Sequence, residues 1–209
     1  LLIDDKSTDD SQEIIVEYEK KCPEKIRAFY NKKNLGITRT WKKVCRETKG
    51  KYIARCDGDD YWTDSKKLQK QVDLLERSEN SLWCCTDYDI IAPNGELKHR
   101  FAVKSGLIKR PKSYAEMLAT RGLTMSSTWL VDRKLMLEIN DELDDSAVDD
   151  TFNIQMDLFN KTQLSCLPDS TTVFRMNVGS DSRPIDEKAT RERDKRLMKT
   201  QLEYIEKYK

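Results

Sequence analysis

Histidine is almost missing from this chain: among 209 residues, only His99 carries an imidazole. A Ser-His-Asp or Cys-His nucleophile would have to be built around that one residue. It lies in "GELKHRF", a polar stretch just past an Asn-Gly turn, and reads as a surface position. Acid–base chemistry therefore falls mainly to carboxylates. An excess of one charge is missing as well. Lys and Arg number 38 against 37 Asp and Glu, a formal net charge of +1, whereas a dedicated nucleic-acid binder shows a basic excess. No apolar run approaches a membrane span, and no signal-peptide pattern opens the sequence. The cysteines (Cys22, Cys45, Cys56, Cys84, Cys85 and Cys166) include no CxxC spacing, so zinc is not indicated. In a chain too long to need staples they read as reduced, mostly buried thiols of a cytosolic protein. Repeats, low complexity and a convincing interdomain linker are absent too. The length suffices for one large domain or two small ones, and for a real core. The chain opens without Met, inside what reads as a buried strand, so an upstream strand and helix are expected.

What the sequence does contain is an alternation of short apolar runs and amphipathic stretches. Leu1–Asp4 is an apolar run ending in Asp-Asp. Asp10 or Ser11 can cap a helix through about Lys20, with Ile14, Ile15 and Tyr18 on one face and Pro23 closing it. "KIRAFY" reads as a strand, 37–48 as a helix with Ile37, Trp41, Val44 and Cys45 at helical spacing, and "KYIARC" as a third strand after Gly50. This predicts an α/β fold, a mostly parallel sheet with crossover helices, in which ligands gather at the carboxyl ends of the strands. Further on, Ser65 can cap a helix to about Arg77. "SLWCCTDYDII" reads as a strand, "APNGE" as a hairpin turn, 113–120 as a helix and "STWLV" as a strand. A helix over 151–160 follows Asp149 or Asp150, and "STTVFRM" is the last strand. Residues 1–183 form one domain. The tail, 184–209, is a charged helix whose Leu197, Met198, Leu202 and Ile205 are spaced to pack on the core.

Three places concentrate chemistry. "YIARCDGDDYW" sets Asp57, Asp59 and Asp60 directly behind a strand. Two such charges about 5 Å apart repel by roughly 3 kcal/mol at an effective dielectric of 20. Open water relieves this, and so does a hard cation, Mg²⁺ or Mn²⁺, that keeps waters and shares phosphate oxygens with a substrate. Gly58 permits a tight turn that aims Asp57 and Asp59 at one point; the pattern is not a calcium loop. "LLIDDKSTDD" places Asp4 and Asp5 at the same sheet edge, where plain turn and cap chemistry competes with a contact to a base or ribose. "AVDDTFNIQMDLF" puts Asp150 just before a helix, as an N-cap or as a general base.

Taken in order, these pieces resemble the bacterial family 2 glycosyltransferases with the nucleotide-diphospho-sugar (GT-A) fold. "LLIDDKSTDDS" resembles the family's second strand, and "NKKNLGITRTWKKVCRETKGKYIARCDGDDYW" its loop, helix and metal strand. "SSTWLVDRKLM" resembles the acceptor-side strand, "AVDDTF" the catalytic-base segment, and "TTVFRMNVGS" the closing strand and flexible loop. The resemblance implies that Asp5 contacts the nucleotide base with Asp4 in support, and that Arg39 lies near the nucleotide. Asp57 approaches ribose or sugar, Asp59 holds the divalent metal with Asp60 nearby, and Asp57 is a second candidate ligand. Asp150 is the base, and Arg175 precedes the loop. Two departures stand out: the family's opening strand is missing, and Asn177 replaces a histidine that many relatives carry two residues after that arginine.

The implied activity is inverting transfer of a sugar from a nucleoside-diphosphate sugar, UDP-linked by expectation, to a hydroxyl of a carbohydrate or lipid-linked acceptor. One carboxylate serves the metal (Mn²⁺ or Mg²⁺) and another the proton, so no histidine is needed. Polysaccharide, lipopolysaccharide or wall-polymer assembly at the inner face of the membrane is the implied setting, with no nucleic acid partner and self-association left open. Two rival readings are a sugar-phosphate nucleotidyltransferase, which normally shows a Gly-rich basic loop, and a non-catalytic metal-dependent carbohydrate-binding module.

Overall fold

In the computed structural model, residues 1–147, 149–177, 179 and 184–209 are described. The first half follows the alternation. Strand β1 (Leu2–Asp4), helix α1 (Ser11–Lys21) and strand β2 (Ala28–Tyr30) form a crossover unit, with Leu2 opposite Ala28 in a parallel pair. Gly36, at φ +83°, adopts a backbone open to glycine and leads into α2 (Ile37–Arg46), which buries Val44 and Cys45. Then come β3 (Tyr52–Ala54) and β4 (Tyr61–Trp62), on either side of the acidic turn. The β1–β2 pair stands apart from the main sheet. A cavity of about 980 Å³, lined by Leu2, Ile3, Trp41, Val44 and Ile53 among others, lies between it and β3.

The second half builds the main sheet. It comprises α3 (Lys67–Glu76), β5 (Trp83–Ile91), β6 (Leu97–His99), α4 (Tyr114–Thr120), a 3₁₀ turn (Ser126–Thr128), β7 (Leu130–Asp132), α5 (Arg133–Glu142), α6 (Asp150–Lys161), β8 (Leu164–Arg175) and α7 (Glu187–Lys207). The strand order is β3-β7-β5-β8-β4, with β6 paired to β5. The α/β class is as read, and β1–β2 and the long β5–β8 pair are parallel. The β3–β7, β5–β7, β4–β8 and β5–β6 pairs are antiparallel. For the β5–β6 pair the reason is connection length: the Asn94-Gly95 hairpin is too short for the crossover that a parallel neighbour requires.

Several elements differ from expectation. Asp64, not Ser65, receives the backbone N–H of Lys66 (2.8 Å) at the start of α3. "STWLV" is half 3₁₀ turn, half strand. Helix α5 was not anticipated; Asp132 caps it by accepting from the Leu135 N–H (3.0 Å), and Leu135, Met136 and Ile139 are buried. In α7, Leu197 and Tyr204 face inward, while Met198, Leu202 and Ile205 are exposed. The rotation follows a buried charge. Asp157, 1% exposed, accepts from Tyr204 Oη (2.8 Å), Lys207 Nζ (2.9 Å) and Tyr208 Oη (2.5 Å). A carboxylate in the interior demands such donors, and they outweigh the apolar stripe.

Trp83 centres the core, edge-on to Trp129 (5.8 Å between centroids) and Phe159 (5.1 Å). Helix α6 is buried on nearly every side, with Ile154, Met156 and Leu158 inaccessible. That burial fixes its first residue, Asp150, against the end of β3.

Candidate active site

Three different environments disperse the charge of the turn after β3. Asp57 is paired: Arg55 Nε donates to Oδ1 (2.7 Å) and Ser126 Oγ to Oδ2 (3.0 Å). Asp60 is buried, accepting from Ser127 Oγ (2.6 Å) and the Arg175 N–H (3.1 Å). Burial pushes its pKa up to about 6, against the pull of those two donors. Asp59 remains exposed. Its Oδ2 accepts from Asn177 Nδ2 (3.0 Å), and its backbone oxygen from Arg175 Nε (3.3 Å). Of the three carboxylates, Asp59 is the one turned outward.

Asp150 begins α6 and is 4% exposed. Asp149 is the N-cap, accepting from the Phe152 N–H (3.1 Å) and from Arg193 Nη2 (2.6 Å). Burial pushes the Asp149 pKa up, and the Phe152 N–H and Arg193 oppose it. Asp150 Oδ2 receives Arg55 Nη1 at 2.9 Å, and Oδ1 receives Thr151 Oγ1 at 3.2 Å. Arg55 therefore bridges Asp57 and Asp150, with its guanidinium 4.8 Å from the Trp41 ring centroid. Desolvation opposes its charge, but Asp150 and then Asp57 more than compensate and hold it protonated. A cavity of about 890 Å³ joins these groups, lined by Arg55, Asp57, Asp59, Asp60, Asp150 and Arg175 among others.

Of the remaining expected residues, Asp5 lines the second cavity together with Arg55 and Asp57, whereas Asp4 and Arg39 line neither cavity. Asp4 is 3% exposed and accepts from the Lys6 N–H (3.1 Å) and Ser7 N–H (3.2 Å), a local turn with Lys6 at φ +65°. Asp5 accepts from Asn31 Nδ2 (2.8 Å) and the N–H groups of Leu35 (2.9 Å) and Gly36 (2.8 Å). Burial raises its pKa, but these bonds, Leu35 first, bring it below the usual range. Arg39 is exposed on α2, 3.5 Å from Asp145, and is not brought to the acidic turn. Sequence reasoning missed Arg55, Ser126, Ser127 and Arg193. Arg55 had a signal: a cation two residues before the aspartates on an otherwise apolar strand.

Among the described residues no group of three or more His, Cys, Asp or Glu side chains is gathered to hold a metal. A hard cation shared with a diphosphate needs less, since one or two carboxylates plus substrate oxygens and water complete its shell. The outward Asp59 carboxylate suits that role, whereas both oxygens of Asp57 are already engaged.

Comparisons with known proteins bear on the family and the fold. Residues 1–139 match the model of a family described as Glycosyl transferase family 2. An uncharacterised protein of Mycobacterium tuberculosis is 37% identical over 101 residues, covering 48% of this chain and 29% of its own. TuaG of Bacillus subtilis, which carries the name teichuronic acid biosynthesis glycosyltransferase, is 33% identical over 102 residues, 48% of this chain and 39% of its own. The chain thus spans well under half the length of these relatives. Among solved structures, S. aureus TarS in complex with UDP-GlcNAc superposes with TM-score 0.63 at 17% identity, over 86% of this chain and 50% of that one. The mannosyltransferase PcManGT from Pyrobaculum calidifontis, in complex with GDP-Man and Mn²⁺, gives TM-score 0.62 at 13% identity, over 82% and 46%. At such identities the likeness is one of fold.

Proposed function

The chain belongs to glycosyl transferase family 2, and from that premise we propose that it transfers a sugar, with inversion, from a nucleoside-diphosphate sugar to an acceptor hydroxyl. One observation carries this reading. A buried carboxylate at a helix start (Asp150) and an outward carboxylate behind a strand (Asp59) line the same cavity. Asp150 takes the proton of the acceptor hydroxyl as it attacks the anomeric carbon, a contribution of typically 10²–10⁴-fold. Arg55 fixes Oδ2, and Oδ1, which carries only the longer contact from Thr151 Oγ1 (3.2 Å), is the oxygen for that proton. Asp57 and Arg175 orient the donor, and Asp5 with Asp4 shapes the edge where its base rests. Asp59 would hold Mn²⁺ or Mg²⁺, which neutralises charge on the departing diphosphate when bound, while Asp57 stays tied to Arg55 and Ser126. That TarS was solved with UDP-GlcNAc and PcManGT with GDP-Man and Mn²⁺ supports a nucleotide-sugar donor here. The acceptor is a carbohydrate or lipid-linked sugar, in cell-surface or wall-polymer assembly, at the cytoplasmic side of the membrane. No helix among the described residues is long and apolar enough to cross a membrane.

The test uses a nucleotide-sugar panel for turnover and calorimetric titration of UDP with Mn²⁺ for binding. Asp150→Asn is expected to lose transfer while UDP–Mn²⁺ binding stays nearly unchanged. Asp59→Ala is expected to lose the metal-dependent part of binding. Substantial turnover by Asp150→Asn removes that residue as the base, and unaltered metal titration of Asp59→Ala moves the metal elsewhere.

A further inference from the structure

Away from this cavity, two cysteines face each other across the sheet. Cys85 on β5 and Cys166 on β8 are direct partners in the parallel ladder, with Sγ atoms 3.8 Å apart. Residues opposed in register project to the same face, and adjacent strands lie about 4.8 Å apart, inside the 4.4–6.8 Å Cα separation that a disulfide spans. The next recorded partners are Asp87 and Ser170, so four residues of β8 advance against two of β5. This bulge, which holds Leu167 and Pro168, gives the Cys166 backbone room to shift. Cys85 is buried and Cys166 is exposed, so only one of the two meets a solute. Arg110, anchored by Nη2 to the Thr86 carbonyl (2.8 Å), sets its guanidinium beside Cys166.

We propose that Cys166 is a hydroperoxide-reactive thiol and that Cys85 resolves it to an intrachain disulfide. The Cys166 sulfur, its proton released to solvent, attacks a peroxide oxygen: an S–O bond forms, the O–O bond breaks, and the departing hydroxide or alkoxide takes up a proton from solvent in place of the one the thiol released. The Cys85 sulfur then attacks the sulfenic acid. An S–S bond forms, the S–O bond breaks, and hydroxide leaves with the Cys85 proton as water. Two thiols are oxidised, and the peroxide is the oxidant. The asymmetry of the pair suits these roles. A hydrogen bond from Cys85, then Arg110, brings the Cys166 thiol down to about 6 against burial, while Cys85 is pushed well above the ordinary thiol range.

The test is hydrogen peroxide treatment of the reduced chain at pH 6, followed by alkylation and peptide mapping. At pH 6 a thiol ionising near 6 is about half thiolate, against roughly 0.3% for an ordinary one near 8.5. Its weaker nucleophilicity takes back about a factor of ten, so Cys166 should react roughly tenfold faster than free cysteine in solution. The expected product is a Cys85–Cys166 cross-linked peptide. Cys166→Ser, an exposed substitution, should abolish it. Cys85→Ala should stall Cys166 as a dimedone-trappable sulfenic acid. A disulfide mapped to other cysteines, or a Cys166 no faster than free cysteine, overturns the proposal.

Discussion

Replacing Arg55 with Met would keep much of the packing on Trp41 but remove the cation from between Asp57 and Asp150. The Arg55 side chain is 11% exposed and Asp150 is 4% exposed, so the carboxylate left behind has almost no water to turn to. Asp57, at 34%, keeps partial hydration, and its share is discounted. Breaking a buried pair by removing one partner typically costs 3–5 kcal/mol. The expected loss for Arg55→Met is therefore about 3–4 kcal/mol at pH 7. Arg55→Met/Asp150→Asn should recover most of the loss, because the amide carries no charge to strand. Urea unfolding of the four proteins of this cycle at pH 7 reads both numbers. A deficit below about 1 kcal/mol, or no recovery in the double variant, would falsify the account of Arg55 as the buried counter-ion.

Two further predictions concern buried charges outside the site. Lys67 is 1% exposed, lies 4.5 Å from the Trp62 ring centroid, and donates to Gln71 Oε1 (2.6 Å), with no ion pair among the described residues. Burial depresses its pKa to about 8, with nearby Cys84, Cys56 and Cys85 opposing. Below pH 8 both folded and unfolded chains hold the proton, and the folded one bears the whole desolvation cost. Between 8 and about 10.4 only the unfolded chain keeps it, so stability rises with pH, by on the order of 3 kcal/mol in all. Relative to Lys67→Met, wild type should gain over pH 7–9.5 in denaturant titrations; a constant difference refutes this. Asp157→Ala removes the acceptor that Tyr204, Tyr208 and Lys207 share, leaving Tyr204 the Asn153 carbonyl and Lys207 the Glu142 carboxylate, at a cost of about 3 kcal/mol. Hydrogen exchange in α7 should accelerate while that in β5 changes least, and equal acceleration in both would show that α7 does not loosen on its own.

The first half of the fold was legible because local signals and tertiary demands agree there. Helix α2 shows its burial in Val44 and Cys45, and β3 ends in the acidic turn as its apolar run announced. The second half was harder, because buried polar groups decide its geometry and hydropathy does not record them. Asp157 turned α7 so that Met198, Leu202 and Ile205 face outward, against the apparent stripe. Asp132 stopped β7 and started α5 within one residue, in a stretch whose Leu135, Met136 and Ile139 already had helical spacing.

The same principle explains the unread part of the candidate site. The sequence places three acids in one turn but cannot say which is paired, which is buried and which is open. That depends on Arg55, Ser126, Ser127 and Arg175, which arrive from three different parts of the chain. Each arrival removes one carboxylate from competition: Arg55 and Ser126 occupy Asp57, while Ser127 and the Arg175 backbone occupy Asp60. The residual negative charge is left on Asp59, on the solvent side of the cavity, where an incoming cation and diphosphate would meet it with little desolvation. The apparent excess of acid is thus two internal fastenings and one open ligand, and Arg55 links the first fastening to Asp150 across the cavity.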